Sequence, residues 1–190
     1  MIARRLAALL LLLCLAPLTA CGRTPTSTPV ASRAPTTAPT ELPAEDTTPL
    51  STSLPPLEIV VYFTDSERYA VGNPPFEVAV TRIVPFNPNP PAAVLSEFFV
   101  GPTAEEQAQG LVAITSGFTG FSALEIQDGI ARVYLTGTCL SNGATYTVAQ
   151  PLMTNLLQFP DIHYVKIYDE KGTTEQATGP TNSIPVCLEP

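Results

Sequence analysis

Runs of β-branched and aromatic residues predict where the strands of this chain lie. Residues 57–63, LEIVVYF, are too continuously apolar for a half-exposed strand and predict a central one. We expect residues 69–71 to form a short partner strand, because the breaker sequence GNPP follows at residues 72–75. Residues 76–84 alternate imperfectly, so a further strand and the entry to a helix both remain open.

The clearest local pattern is a β-hairpin. Residues 123–127 and 130–135 are strand-like segments on either side of Asp128-Gly129. This pair favours positive φ and therefore a tight connection. The pattern predicts two antiparallel strands that share one apolar face.

The only histidine of the chain lies in a third strand-like segment, residues 163–168. The alternation places His163 on one face with Val165 and Ile167 and directs Lys166 to the other. Residues 169–172, DEKG, predict a solvated turn after the strand.

Two helices are predicted before the hairpin. Residues 92–100 have apolar side chains at helical spacing, and Gly101-Pro102 ends the pattern. Thr103 and Glu106 form a capping-box pattern, which opens a short helix that ends near Gly110.

A third amphipathic helix follows the hairpin. Its apolar positions recur at helical spacing: Val148, Leu152, Leu156 and Phe159. Pro151 interrupts this stripe, so the helix either starts near Pro151 or is kinked there. We favour a kink, because the apolar stripe continues upstream to Val148.

The first twenty residues have the layout of a secretory signal, with Arg4 and Arg5 ahead of an apolar run too short to span a bilayer. The end of this segment, LTAC, resembles the bacterial lipobox, which implies cleavage before Cys21 and acylation of that cysteine. The alternative is an ordinary signal with an incidental cysteine. Residues 1–20 are thus the expected lipoprotein signal peptide, and acyl chains on Cys21 would hold the protein on the membrane.

Residues 21–56 are expected to combine the lipidated cysteine with a disordered tether. The stretch is dominated by Thr, Pro and Ser and contains no aromatic residue. It cannot bury enough apolar surface to offset the entropy of ordering.

Charge narrows the range of partners. Residues 57–190 hold five basic and fourteen acidic residues, an excess of nine negative charges. Such a domain offers no basic patch for nucleic acid or for anionic lipid. We therefore expect no nucleic-acid partner. We expect contact with the membrane only through Cys21.

The cysteine count suggests one disulfide. Cys14 leaves with the signal and Cys21 is modified, so Cys139 and Cys187 remain in the exported part. Two such cysteines most often pair, and two buried free thiols are the alternative. These residues lack the clustered ligands of a zinc site, so we expect no metal and no other cofactor.

Four segments together resemble the GerMN domain, a module of sporulation and germination proteins and of many exported bacterial lipoproteins. They are VVYF at 60–63, SEFFVGPTAEE at 96–106, LEIQDGIARVYL at 124–135 and AQPLMTNLLQFPDIHYVKIYDEKG at 149–172. The resemblance implies an α+β fold over residues 57–172, with two main helices packed on one face of a small mixed β-sheet. Residues 173–190 are an additional C-terminal tail, which a Cys139–Cys187 bridge would pin to the loop after the hairpin.

The resemblance implies no catalytic residues. We therefore expect a non-enzymatic binding or assembly module that is lipid-anchored on the extracytoplasmic side of the cell membrane. Its expected partner is an envelope protein or a cell-wall glycan. A role in sporulation or germination is compatible with the motifs, and the sequence leaves the oligomeric state open.

Two alternatives use other features of the chain. An envelope hydrolase would need His163 with Asp161 or Asp169, or the carboxylates of Glu105 and Glu106. Neighbouring helical residues diverge by about 100°, which argues against the glutamate pair. A solute-binding lipoprotein that feeds a transporter would need a second lobe, for which the domain is short.

Overall fold

The computed structural model describes residues 54–190. The predicted signal peptide, Cys21 and nearly all of the predicted tether lie outside the described residues. The elements, in chain order, are β1 Leu57–Asp65, α1 Ser66–Val71, β2 Glu77–Val84, α2 Pro90–Val100, α3 Ala104–Ala108, β3 Leu111–Val112, β4 Phe118–Gln127, β5 Ile130–Gly137, α4 Ala149–Leu157, β6 Tyr164–Tyr168 and a 3-10 turn at Val186–Leu188.

The strands form two three-stranded sheets. In the first sheet the order is β2-β1-β3 and both pairings are antiparallel. In the second the order is β4-β5-β6, with β4 antiparallel and β6 parallel to β5. The α+β class is thus confirmed, but the strands are divided between two sheets where the resemblance implied one.

The second edge of β1 shows why the sheets separate. β3 pairs with β1 only at Thr64 and Asp65. Further along, the side-chain amide of Asn155 on α4 accepts from the Tyr62 N–H and donates to the Tyr62 carbonyl, both at 2.9 Å. Gln158 donates to the carbonyl of Val60 at 3.1 Å. Two side chains of a helix thus take the place of a neighbouring strand.

The core lies between the two main helices and the sheets. Both α2 and α4 contact β1, and they contact each other; α2 also reaches β4 and α4 reaches β6. The largest fully buried apolar side chains come from all of these elements: Phe63, Leu95, Phe98, Phe118, Leu135, Leu152, Leu156 and Ile167. Packing of two main helices against the strands therefore agrees with the expected fold.

The segment expected to be a short strand at residues 69–71 is helical, so that prediction is wrong. Asp65 caps α1, since its carboxylate accepts from the N–H groups of Glu67 and Arg68. Gly72 ends the helix in the left-handed region at φ 67°. The open alternative at residues 76–84 is resolved in favour of a strand, β2, which pairs with β1 over eight residues.

The expected kink at Pro151 is also wrong. Pro151 is the third residue of α4, and the first helical bond runs from the Leu152 N–H to the Val148 carbonyl. A proline in the first turn has no partner to lose, because that N–H would be unpaired in any helix. The upstream apolar residue Val148 is buried as the N-cap residue rather than as part of an earlier turn.

The turn and capping patterns behave as predicted. The hairpin turns at Asp128 and Gly129, both with positive φ, and its strands extend beyond the predicted limits to Phe118 and Gly137. Thr103 and Glu106 form both hydrogen bonds of the capping box. The short strand β3 has no signal of its own in the sequence.

The C-terminal tail, residues 173–190, closes the open edge of the second sheet. Ser183 donates its N–H to the Val165 carbonyl at 3.0 Å and accepts from the Ile167 N–H at 2.9 Å. A disulfide joins Cys139 to Cys187, with Cα atoms 6.3 Å apart. Within residues 54–190 no helix is long and apolar enough to cross a membrane.

Candidate interaction surface

The residues that could have formed a hydrolase site do not come together as one. Asp161 and His163 are both exposed, and His163 donates its backbone N–H to the Gly129 carbonyl at the hairpin turn. Asp169 is held within its own turn, where it accepts from Lys171 and Thr173. Burial acts to raise the pKa of Asp169, but these hydrogen bonds outweigh it and the pKa is lowered.

The two neighbouring glutamates are separated by their environments. Glu105 is exposed on α3. Glu106 turns inward and is held by Arg82 and by the backbone N–H of Thr103. The pair therefore does not flank a common point, and no group of three or more metal-ligating side chains occurs within the described residues.

Arg82 is the centre of the most highly connected polar cluster near the first sheet. Its guanidinium lies 2.8 Å from a carboxylate oxygen of Glu97 and 2.5 Å from one of Glu106. It also donates to the Gly101 carbonyl at 2.9 Å and sits 5.0 Å from the ring centroid of Phe63. One side chain thus fastens β2 to the end of α2 and to α3.

The contacts within this cluster shift the pKa values of Arg82 and Glu106. Burial acts to lower the pKa of Arg82, but the hydrogen bonds that it donates to Glu106 and Glu97 reverse the effect and raise it. Burial likewise acts to raise the pKa of Glu106, and the bonds from Arg82 and Thr103 reverse that effect and lower it. Arg82 and Glu106 therefore both stay charged at neutral pH.

Directly beside the cluster lies an apolar patch that we call the Val100 surface. It comprises Ile83, Pro85, Phe99, Val100, Pro102 and Phe121. Two depressions, of about 450 and 350 Å³, share Val100 as a lining residue. Val100 is 77% exposed and Ile83 is 73% exposed.

The Val100 surface rests on a rigid base of aromatic rings. Phe99 packs edge-on against Phe98 at 5.3 Å and approaches Phe121 at 6.3 Å. Phe98 in turn stacks on Phe63 in the core at 5.9 Å. The exposed side chains are thus held on a preformed base.

The rest of the domain surface is strongly acidic. Arg82 is paired internally and Lys166 is fully buried, so that Arg68, Arg132 and Lys171 are the other lysines and arginines within residues 54–190. Among the described residues, eight acidic ones are exposed: Glu58, Glu67, Glu105, Glu125, Asp128, Asp161, Glu170 and Glu175. A partner of this domain meets an apolar patch in a negative surrounding.

Sequence reasoning missed Arg82, Val100 and Lys166 as notable residues. Lys166 was expected to project from the sheet, but its ammonium group donates to the carbonyls of Gln176 and Thr178 beneath the C-terminal tail. The arginine inside the apolar segment VAVTRIV and the valine directly before Gly101-Pro102 were the available signals. Neither signal identifies what the side chain contacts.

The fold and surface define a small α+β domain with an exposed apolar patch. A solved structure described as tandem GerMN domains of the sporulation protein GerM from Bacillus subtilis is similar to this chain, with a TM-score of 0.44 and 20% sequence identity. The similarity covers 70% of this chain and 46% of that chain, so it spans just under half of that protein's length. No family model matches the chain, and neither does any curated protein.

Proposed function

We propose that this protein is a lipid-anchored extracytoplasmic binding module that recognises an envelope protein through the Val100 surface. The observation that carries the proposal is the exposure of Val100 and Ile83 on a preformed base. Contiguous exposed apolar residues of this kind mark interaction sites in soluble domains. The proposal assigns the domain no reaction.

A protein partner fits the chemistry of this surface better than a glycan. The side chains around the larger depression include Ile83, Val100 and two prolines beside Thr81 and Thr103. The Nη1 of Arg82 already donates to Glu97. Sugars need polar groups that are free to pair with hydroxyls. A partner side chain that is apolar needs only the space and the exclusion of water.

The proposal of a lipid anchor rests on the resemblance of residues 18–21 to the lipobox. The stretch between Cys21 and the domain has 35 residues, 22–56. At the roughly 3.1 Å per residue of extended polyproline II, it would reach on the order of 100 Å from the membrane. Such a reach would place the Val100 surface among envelope proteins, and the GerMN motifs favour a sporulation or germination setting.

Site-specific photo-crosslinking tests the surface. A photoreactive residue at Val100 of the full chain in intact host cells is expected to yield an adduct with an envelope protein. The same residue at Val186 is the matched control, because Val186 is also a valine and is 69% exposed on the C-terminal tail. Equal labelling at both positions, adducts with glycan alone, or no adduct at Val100 would each contradict the proposal.

Cell fractionation tests the anchor separately. We expect the native chain in the membrane fraction and Cys21→Ala in the soluble extracytoplasmic fraction. Retention of Cys21→Ala on the membrane would show that attachment does not depend on acylation of Cys21.

A further inference from the structure

β2 forms a free edge whose backbone groups can be assigned from the pairing. Asp65 donates its N–H to the Phe76 carbonyl at 2.8 Å, in continuation of the β1–β2 register that pairs Thr64 with Glu77. Residues in an antiparallel ladder alternate between hydrogen-bonded and non-hydrogen-bonded pairs. The even-numbered residues of β2 therefore bond to β1, and the odd-numbered ones, Glu77, Ala79, Thr81 and Ile83, direct their N–H and C=O groups away from it.

The opposite edge of β1 supports this phase. Tyr62 is paired with Ala79 in the register. Its N–H and C=O bond to Asn155 and hence point away from β2. Ala79 is the other member of that non-hydrogen-bonded pair, so its backbone N–H and C=O must likewise point away from β1.

The free edge of β2 lacks several of the usual protections, although Glu77 and the inward-folded Arg82 are charged. The eight-residue pairing with β1 is unbroken by a bulge, and β2 contains no proline or lysine. Its arginine, Arg82, folds back toward α2. Within residues 54–190 no strand pairs with this edge. A long, β-branched edge with so little protection is a template for another strand.

The Val100 surface lies beside this edge. The larger depression is lined on one side by residues 81–85 of β2 and its exit and on the other by residues 100–103. A strand added to β2 would continue the pleat, so alternate side chains would point toward Val100 and Pro102. Backbone pairing and apolar burial would then occur together.

The charges near the edge define the flanks of the added segment. Glu58 is exposed and pairs with Ile83 across the first sheet, and Glu77 begins β2. Glu105 is exposed on α3, close after the lining residue Thr103. Arg82, the basic residue at the depression, is already neutralised by Glu97 and Glu106. An occupant with basic flanks would therefore be attracted and one with acidic flanks repelled.

We propose that the partner binds by strand addition: an extended segment with basic flanks pairs with the free edge of β2 and buries an apolar side chain in the depression beside Val100. This inference rests on the proposed function and specifies the partner at the same surface. The backbone bonds would supply affinity, and the depression and acidic rim would supply specificity.

Synthetic peptides provide the test. The probes are peptides of about ten residues, with alternating valine and threonine between lysine flanks. Their binding to the full chain in detergent is followed by fluorescence anisotropy. Methylating the backbone nitrogens of one alternate set is expected to weaken binding about tenfold or more, while methylating the other set leaves it unchanged. Replacing the lysines with glutamates is expected to abolish binding.

A variant pair tests the same edge from the protein side. Thr81→Pro removes an outward-pointing N–H without breaking the ladder to β1, a position where edge strands tolerate proline. Thr81→Val is the matched control, because it keeps the N–H and changes only the side chain. We expect Thr81→Pro to weaken peptide binding about tenfold and Thr81→Val to leave it close to the native value. Bound peptide should also slow hydrogen exchange at Ala79 and Ile83.

Several outcomes would overturn the inference. They are no binding by any peptide, equal binding with acidic flanks, and equal effects of both methylation sets. Amides of Ala79 and Ile83 that are already protected in the free chain would show that another part of this chain occupies the edge. Self-association that Thr81→Pro removes would assign the edge to a second copy. A Val100 adduct in cells that persists in Thr81→Pro would sustain the proposed function while rejecting strand addition.

Discussion

At the scale of single residues, Arg82 links three elements through one guanidinium. Its partners are two carboxylates, two backbone carbonyls and an aromatic ring. Removing one member of this half-buried ion cluster leaves the others partly desolvated without compensation. The position of Val100 and Pro102 relative to β2 therefore depends on this side chain.

We expect Arg82→Met to lower the free energy of unfolding by about 3 kcal/mol, because Glu97 and Glu106 lose their counter-ion. Arg68→Met is the matched control. Arg68 pairs with Asp65 at 3.3 Å, but its side chain is 46% exposed, so the expected loss is below about 1 kcal/mol. Urea unfolding of both variants measures the difference, and similar losses would contradict the role assigned to Arg82.

The same variant makes a prediction about pH. The pKa of Glu106 is lowered in the folded chain, so its contribution to stability is present above the unfolded carboxyl pKa of about 4.3. That contribution is lost as the pH falls through the folded value. Between roughly pH 5 and 3 the native chain should therefore lose stability more steeply than Arg82→Met. Parallel curves would show that Glu106 is not stabilised by Arg82.

Lys166 is a fully buried cation, and within residues 54–190 no carboxylate pairs with it. Its ammonium group lies 2.6 Å from the Gln176 carbonyl and 3.3 Å from that of Thr178. Burial, with repulsion from Arg132, lowers the pKa of Lys166. The folded chain therefore releases this proton at a lower pH than the unfolded chain does.

The contribution of Lys166 to the free energy of unfolding should thus rise with pH up to about 10.4, the pH below which the unfolded lysine still holds its proton. Lys166→Met lacks this contribution. We expect the difference in free energy of unfolding between the native chain and Lys166→Met to shift in favour of the native chain between roughly pH 8 and 10. Comparison at matched pH cancels the titration of tyrosines, and Lys171→Met controls for the loss of one lysine. A difference independent of pH would contradict the assignment.

At the scale of elements, local chemistry made much of the fold predictable. Asp128-Gly129 and the pair Thr103 and Glu106 determine a turn and a helix start through contacts within a few residues, and the structure has both. The strand predicted at residues 69–71 was wrong because Asp65 caps a helix there, and the prediction did not consider that cap. Pro151 failed because the apolar stripe alone does not show where a first turn begins.

Contacts between residues that are far apart in the sequence could not be predicted from local patterns. Arg82 meets Glu106 across 24 positions of sequence, and Asn155 meets Tyr62 across 93. A sequence pattern gives the face of an element but not its partner. The free edge of β2 follows only once the register with β1 is known.

Asn155 gives a direct test of how α4 replaces a strand. We expect Asn155→Leu, a change of similar volume, to lower the free energy of unfolding by about 3 kcal/mol, because the part-buried N–H and C=O of Tyr62 lose the partners that the buried Asn155 provides. Thr154→Val is the matched control. Thr154 is half-buried and bonds only to the Gln150 carbonyl one turn back, so the expected loss is below about 1 kcal/mol.

Hydrogen exchange adds a local readout to these variants. The amide of Tyr62 should exchange faster in Asn155→Leu than in Thr154→Val, since Asn155 Oδ1 accepts its proton at 2.9 Å. Equal exchange at Tyr62 would mean that the strand-like role of Asn155 is incorrect.

At the scale of the whole molecule, limited proteolysis tests the division into tether and domain. Residues 21–56 are rich in Thr, Pro and Ser, whereas Leu57 already pairs with Val84 and begins the first sheet. Brief digestion of the full chain with a non-specific protease should therefore first remove residues before about position 57. Mass spectrometry should find a fragment that extends to Pro190.

Reduction extends the test to the C-terminal tail. The disulfide closes a loop of about 49 residues, worth roughly 4 kcal/mol in the chain-entropy model. Without it, the tail is held by hydrogen bonds such as those of Ser183 with β6, and we expect a second set of cuts within residues 173–190. A first cut inside residues 57–172 would contradict the domain limits. Identical cleavage patterns with and without reductant would show that the contacts with β6 hold the tail without the disulfide. The Cys139–Cys187 disulfide would then have no part in keeping Lys166 buried.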